Sequence, residues 1–145
     1  MKPAFTDKIM INVPKLEVFE FISDLRNGSK MNEDILSVEK LTEGPIEIGT
    51  KFKETKIIRG RNTEATIEVI EYTSLKAFSA TSEANGLKVT YHYHLSEIPN
   101  GTLVNFQCEI KTSGIIMFIT KPFITKIIIQ EESDRLINIK RALES

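Results

Sequence analysis

Residues 77–112 read AFSATSEANGLKVTYHYHLSEIPNGTLVNFQCEIKT, and this segment carries the strongest fold signal in the chain. Apolar and polar residues alternate in three runs of it, and a period of two is typical of half-buried strands. The runs are 77–82, 89–95 and 103–112. They are separated by Asn85-Gly86 and Asn100-Gly101, and an Asn-Gly pair between alternating runs indicates a hairpin turn. The segment therefore predicts an antiparallel meander.

The same period of two continues toward the N-terminus. Between Thr63 and Tyr72, apolar Ala65, Ile67 and Val69 alternate with glutamate and threonine, which predicts a strand with one buried face. Further strands are predicted at 5–12, 35–41 and 51–58.

Two segments have helical spacing instead. Pro14 suits the first turn of a helix, and apolar residues recur at intervals of three and four up to Leu25, so we predict an amphipathic helix there and a short turn around Met31. A second helix is predicted from Pro122 to Glu144. Its stripe consists of Ile128, Glu132, Arg135, Leu136, Ile139 and Leu143. This order of elements predicts an α+β fold with the last helix along the concave face of the sheet.

The composition bounds the class of protein. The chain has 145 residues, of which 41% are hydrophobic and 27% charged, so we expect one globular domain over residues 1–145. Nineteen basic residues against twenty acidic ones leave a net charge of -1, which argues against nucleic acid as the main partner. The one cysteine, Cys108, allows no internal disulfide and no zinc finger.

No segment has the pattern of a targeting or membrane-spanning sequence. Residues 1–13 alternate and lack the uninterrupted apolar run of a signal peptide. The most apolar stretch, 113–130, contains Lys121, Pro122 and Lys126, whereas a spanning helix needs about 20 mostly apolar residues. We therefore expect a cytoplasmic protein without stable membrane insertion.

Several short motifs follow one another along nearly the whole chain. They are Val13-Pro14, Val18-Phe19, Asp24, Leu41-Thr42-Glu43-Gly44-Pro45, Gly49-Thr50-Lys51-Phe52, Gly60, Glu68-Val69, Gly101-Thr102 and the closing helix from Leu136 to Glu144. In this order they resemble the START-related helix-grip superfamily (SRPBCC, Bet v 1-like). More narrowly, they are similar to its bacterial polyketide cyclase/dehydrase-like branch.

The resemblance implies a fold and a general function. The fold is a curved seven-stranded antiparallel sheet wrapped around a long C-terminal helix, with one or two short helices after the first strand and a hydrophobic cavity inside. Members bind lipids, sterols, plant hormones or polyketides, so the resemblance implies ligand binding but no shared reaction. Many relatives carry a tryptophan near the short second helix. This chain has no tryptophan, and we expect Met31 in that place, at the mouth of the cavity.

Strand alternation and the last helix together define the candidate ligand-binding cavity. Its predicted lining is Phe52, Glu54, Ile67, Phe78, Tyr91, Tyr93, Phe106, Cys108, Phe118, Phe123 and Ile127. The alternative for most of these residues is a dry, filled core. The hydroxyls of Tyr91 and Tyr93 either orient a ligand or bond to neighbouring backbone, because a buried tyrosine must satisfy its polar end.

Glu54 shares its parity with Phe52, and a buried carboxyl there has the raised pKa that suits a general acid or base. Lys51, Lys53 and Lys56 make the strand highly charged, so we favour a solvated edge for Glu54 over a catalytic role.

The two histidines, His92 and His94, stand two residues apart on the face opposite Tyr91 and Tyr93. That spacing can place two imidazoles on one metal ion, but we expect both to face solvent and predict no metal or other cofactor. Cys108 is expected to behave as a small buried hydrophobe, because both histidines that could activate it lie on the other face.

The segment from Gly114 to Phe123 is rich in isoleucine and phenylalanine and is bracketed by Gly114 and Pro122. We favour a flexible lid over the cavity. The alternatives are a dimer contact, a weak contact with a membrane surface, or core packing.

The function predicted from the sequence is binding of a small hydrophobic or amphipathic ligand between the sheet and the C-terminal helix. One alternative is a polyketide cyclase/dehydratase-like enzyme that uses Glu54 or Tyr91, although no catalytic residue is assigned. Another is a protein-interaction module of the heat-shock ATPase activator type. The expected partner is a small hydrophobic molecule, not nucleic acid, and the expected oligomeric state is a monomer or a homodimer.

Overall fold

Seven strands form one antiparallel sheet in the computed structural model, which describes residues 3–145. Met1 and Lys2 lie outside the described residues. They are the first two residues of the segment 1–13, which lacks the pattern of a signal peptide. The strands are β1 (Phe5–Ile11), β2 (Ile35–Lys40), β3 (Lys51–Ile58), β4 (Arg61–Thr73), β5 (Ala77–Ala84), β6 (Leu87–Ile98) and β7 (Gly101–Thr112). Their order across the sheet is β1-β7-β6-β5-β4-β3-β2, so all neighbours except β1 and β7 are consecutive in the chain. The predicted seven-stranded helix-grip fold is confirmed.

The helices are α1 (Lys15–Ser23), α2 (Gly28–Met31), α3 (Ile115–Glu132) and α4 (Arg135–Glu144), with a 3₁₀ turn at Leu25–Asn27. Together, α3 and α4 make up the long C-terminal helix, interrupted at Ser133 and Asp134. Within residues 3–145, no helix is long and apolar enough to cross a bilayer.

The start of the C-terminal helix differs from the prediction. It begins at Ile115 rather than Pro122, and Pro122 lies inside α3. Gly114 separates β7 from α3 with a φ of 90°, a backbone conformation that glycine adopts at little cost. Helix formation therefore starts directly after this glycine, and the segment from Gly114 to Phe123, for which we favour a flexible lid, is mostly helical.

The two predicted hairpin turns also differ from one another. Asn85 and Gly86 both have positive φ, as a primed two-residue turn requires. At the second turn, Gly101 already pairs with Ile98 inside the sheet, so the turn residues are Pro99 and Asn100. A side chain at Gly101 would collide with the carbonyl oxygen of Ile11.

The main core lies between the sheet and helices α1, α2 and α4. Its largest fully buried apolar side chains include Phe19, Phe52, Phe78, Phe106, Ile11, Ile22, Leu136 and Ile139. Met31, at the end of α2, is also buried in this core. The core therefore fills one part of the concave face, and α3 crosses the other part.

Strand register decides which side chains point inward. The pairing of β3 with β4 is uninterrupted from Lys51 opposite Glu68 to Ile58 opposite Arg61. A bulge does occur in β4, between Val69 and Glu71, but it lies beyond this region. Phe52, Glu54 and Lys56 therefore keep one parity and share the inner face.

Candidate functional site

A cavity of about 330 Å³ lies between α3 and the inner faces of β3 to β6. Small side chains line it on β4 and β5, and three isoleucines line it on α3. These are Ala65, Ala80, Ser82 and Ala84 on the sheet, with Ile124, Ile127 and Ile128 on the helix. Because alanine and serine do not reach the helix, space remains between the two layers. The volume is at the lower end of the range for small-molecule sites, about 300–1,000 Å³.

The predicted lining residues fall into four groups. Glu54, Ile67, Tyr91 and Ile127 line the cavity. Phe78 and Tyr93 border a narrow extension of about 20 Å³, which shares Glu54, Ile67 and Tyr91 with the main cavity. Phe52, Phe106 and Cys108 are buried in the neighbouring core.

Phe118 and Phe123, the remaining two, lie on the outer side of α3, where their side chains are 74% and 56% exposed. Neither lines the cavity. The reason is the early helix start, since the helix directs Ile124, Ile127 and Ile128 toward the sheet and turns Phe118 and Phe123 away from it.

Charged side chains gather at the inner end of the cavity. The ionic cluster, as we call it, consists of Glu54, Lys56, Glu131, Glu132 and Arg135. Lys56 Nζ lies 2.8 Å from Glu131 Oε2 and 3.6 Å from Glu132 Oε1. Glu132 also pairs with Arg135, one turn further along the C-terminal helix. Three carboxyl groups thus surround two cations beside an apolar space.

Glu132 and Arg135 are both buried, and both form hydrogen bonds to further side chains. Tyr91 Oη and Asn32 Nδ2 each donate to Glu132 Oε1 at 3.3 Å, and Arg135 Nη1 donates to Tyr93 Oη at 3.1 Å. Burial alone would raise the pKa of Glu132, but the Arg135 charge, their hydrogen bond and Lys56 hold that pKa below its usual value. The buried pair is therefore ionised. The hydrogen bonds to Tyr91, Asn32 and Tyr93 help to offset the free-energy cost of burying the two charges.

The two tyrosines belong to the same arrangement. The guanidinium of Arg135 lies 4.8 Å from the ring centre of Tyr91, within the range of a cation–π contact. Burial raises the pKa of both phenols, and the negative charge of Glu132 adds to this effect. Both hydroxyls stay protonated and bond to side chains of the ionic cluster, rather than to backbone as one of our alternatives proposed.

Glu54 differs from the other carboxylates. Within residues 3–145, no side chain donates a hydrogen bond to it, and its surroundings act on it through burial and through charge alone. Burial raises the pKa of Glu54, and Glu132 and Glu131 add to that, while Lys56 and Arg135 oppose it. The favoured solvated position for Glu54 is therefore wrong, because the continuous β3–β4 register turns this side chain into the cavity.

Lys56 is a second charged residue of β3 whose position differs from the expectation. It is one of the three lysines that suggested a charged, solvated strand, yet it is buried. Burial by itself would lower its pKa, but Glu132 and Glu131 raise the pKa above its usual value, so the ammonium stays charged. Two signals in the sequence pointed to the cluster: Lys56 has the parity of Phe52, and Glu132 and Arg135 lie within the apolar stripe of the last helix.

Cys108 and the histidines lie apart from this chemistry. Burial raises the pKa of Cys108 to about 12, so its thiol is protonated at neutral pH and is a poor nucleophile. His92 is only half-buried on the opposite face, where its Nδ1 is 2.7 Å from Ser79 Oγ and its Nε2 is 3.1 Å from Glu109. His94 is exposed. Across residues 3–145, no group of three or more histidine, cysteine or acidic side chains is arranged to hold a metal ion.

The chain is similar to known proteins in structure but matches none of them by sequence. No family model and no curated protein sequence matches it. Solved structures do match over nearly the whole chain. Ara h 8.0201 is 18% identical, with a TM-score of 0.70 and coverage of 96% of this chain and 95% of the other.

Two further structures have the same fold. A START superfamily protein from Mycobacterium smegmatis is 13% identical, with a TM-score of 0.72 and coverage of 97% of this chain and 96% of the other. The di-domain ARO/CYC BexL from the BE-7585A biosynthetic pathway is 15% identical, with a TM-score of 0.76, and the match covers 97% of this chain and 50% of BexL. At such identities the likeness is one of fold. The chain therefore has the helix-grip fold of Bet v 1-like and START proteins, as its sequence motifs predicted.

Proposed function

We propose that the protein binds a small amphipathic molecule in the cavity beneath α3. The observation that carries this proposal is an apolar cavity with titratable groups at one end. Ile67, Ile124 and Ile128 contribute apolar wall, while Glu54 and Lys56 contribute the polar end. An apolar ligand body gains about 25 cal/mol for each Å² that leaves water. Burial in the cavity supplies affinity, and the polar end selects the orientation.

The polar end has a defined chemistry. Glu132 and Arg135 satisfy one another, so they position their neighbours rather than meet the ligand. Glu54 remains available, with a carboxyl that lines the cavity and a pKa raised by burial. A protonated carboxyl donates to a carbonyl or hydroxyl oxygen, and an ionised one accepts from a hydroxyl or amine. We expect the polar group of the ligand to meet Glu54.

Native mass spectrometry of freshly purified protein tests the proposal directly. We expect a discrete additional mass that disappears when the same sample is denatured, and this mass identifies the ligand class. A bare mass, together with failure to bind the uncharged dye N-phenyl-1-naphthylamine, would contradict it.

A matched pair of variants tests whether the dye binds inside the cavity. Ser82→Leu adds an apolar side chain to the cavity wall, so dye affinity should fall by about tenfold or more, since a filled cavity excludes the ligand. Ser96→Leu makes the same change at an exposed position of β6 and should leave dye affinity unchanged. If the two variants bind the dye with equal affinity, the dye binds outside the cavity.

A second candidate function is acid–base catalysis of the cyclase/dehydratase kind. Glu54 supports it, since this carboxyl has no hydrogen-bond partner among residues 3–145. A general acid or base needs a shifted pKa and access to the substrate, and Glu54 combines both beside a cavity. Glu54→Gln separates the two functions. For a carrier, the variant keeps a bound molecule with changed affinity; for an enzyme, it binds the molecule and no longer converts it.

A further inference from the structure

The outer face of α3 is apolar where a solvated helix is normally polar. We define this outer face as Ile115, Ile116, Phe118, Ile119 and Phe123, whose side chains are between 56% and 78% exposed. The opposite side of the same helix is apolar as well, because Ile124, Ile127 and Ile128 line the cavity. A helix that is apolar on both sides is normally covered on both sides.

The charged residues in the sequence segment that carries the outer face have one sign. From residue 110 to residue 130 the sequence contains no aspartate or glutamate, but it contains Lys111, Lys121 and Lys126. Arg59, in the turn between β3 and β4, adds a further cation, since its guanidinium lies 4.9 Å from the ring centre of Phe123. An exposed apolar face with cations beside it is typical of a helix that lies in the plane of an anionic membrane surface.

A second copy of this chain fits the outer face less well. In a two-fold dimer the same patch occurs on both subunits, so a patch that carries Lys121 and Lys126 would face a second patch with the same positive charges. Anionic headgroups would instead neutralise these cations, and the acyl boundary would take up Phe118 and Ile119.

The attachment of α3 to the rest of the protein is consistent with this role. The backbone N–H of Ser113 donates to Gly86 O at 2.8 Å, which ties the start of the helix to the β5–β6 turn. A side chain at Gly86 would lie 2.6 Å from Ser113 O, so only glycine permits this close approach. The helix is thus held at its start, close to the wall of the cavity, while its outer face stays uncovered within residues 3–145.

We propose that the outer face of α3 docks on a membrane surface that carries anionic headgroups. Docking would bring the wall of the cavity against the lipid, where amphipathic molecules are concentrated. Such docking depends on the outer face and its cations, and not on which molecule occupies the cavity.

Co-sedimentation with vesicles tests the docking. Vesicles of phosphatidylcholine with 30% phosphatidylserine are compared with vesicles of pure phosphatidylcholine, at low and at physiological salt. We expect binding to the anionic vesicles only, weakened by salt. Lys121→Gln/Lys126→Gln should weaken it by about fivefold for each charge removed. Phe118→Ser/Ile119→Ser should weaken it by more than about tenfold.

Leu41→Ser/Ile48→Ser is the matched control, since it removes two apolar side chains that are exposed elsewhere on the protein. This control should bind vesicles like the wild type. Equal binding to both kinds of vesicle, or equal loss in the control, would overturn the proposal. The absence of vesicle binding would overturn it as well. If light scattering then shows a dimer, and Phe118→Ser/Ile119→Ser dissociates that dimer, the outer face serves self-association instead.

Discussion

The two segments of the C-terminal helix cross the same sheet but pack against it differently. In α4, Leu136 and Ile139 are fully buried in one cluster with Ile11 and Phe106. In α3, which lies wholly within the described residues, Glu132 is the only buried residue. The sheet supplies large side chains in the first region and alanine or serine in the second. Side-chain size on the sheet therefore decides whether the helix above it closes a core or bounds a cavity.

The largest effect is expected at the junction of the two segments. Arg135→Met leaves Glu132 buried without its main partner, and breaking a buried ion pair in this way costs about 3–5 kcal/mol of unfolding free energy. Urea denaturation measures the loss. Arg141→Met, at an exposed position, is the control and should change stability by less than about 0.5 kcal/mol.

A double variant sharpens this test. Glu132→Leu/Arg135→Met removes both charges and should recover much of the loss, because no unpaired charge remains buried. If the single and double variants are equally unstable, packing rather than charge explains the loss.

A smaller difference is expected between two isoleucines of the helix. Ile139→Ala opens a cavity in the packed core and should cost about 2–5 kcal/mol. Ile127→Ala enlarges a cavity that already exists and should cost less than about 1 kcal/mol. Similar losses in the two variants would contradict the contrast between α4 and α3.

The next effect depends on pH. Since the pKa of Glu54 is higher in the folded protein than its ordinary value of 4.5, the unfolded chain ionises first as the pH rises. The contribution of Glu54 to stability is therefore complete below pH 4.5 and is lost as the pH rises through the folded-state pKa. Glu54→Gln avoids this loss, so it should melt above the wild type at pH 7.5 and close to it at pH 4.

Glu33→Gln, at an exposed position, controls for the change in net charge. It should show little difference from the wild type at either pH. If the wild type melts at a higher temperature than Glu54→Gln at pH 7.5, the neighbours of Glu54 stabilise its ionised form. That result would contradict a pKa raised by burial.

The smallest effect is expected on the outer face of α3. Phe118→Ser removes a large aromatic side chain, yet the unfolding free energy should change by less than about 0.5 kcal/mol, because that side chain is mostly exposed. The same loss of an aromatic ring in the core, Phe106→Ala, should cost about 3–5 kcal/mol. Thermal denaturation followed by circular dichroism compares the two.

Strand alternation predicted much of the inner face. Phe52, Ile67, Tyr91, Tyr93 and Cys108 all point inward as predicted, because the bulges of the sheet lie outside their registers. The period of two is set by the strand backbone, so it survives wherever pairing is uninterrupted.

The helix start and the ionic cluster were harder to predict. Pro122 is compatible with the first turn of a helix, but it also occurs within one, and the conformation of Gly114 decided the boundary. The burial of Lys56 is not expected from the sequence, because lysine is rarely buried, and only the three-dimensional approach of Glu131 and Glu132 stabilises the buried ammonium. Contacts between residues that are 75 or more positions apart cannot be inferred from local spacing.

The interruption at Ser133 and Asp134 has a consequence for how the protein opens. Backbone amides exchange with solvent through the least costly opening that exposes them, and that cost follows local packing. Amides of α4 are held by the buried Leu136 and Ile139, whereas in the part of the chain that the structure describes no residue of α3 before Glu132 is buried. Deuterium should therefore enter α3 through a local opening, long before it enters α4, and the C-terminal helix should behave as two exchange units rather than one.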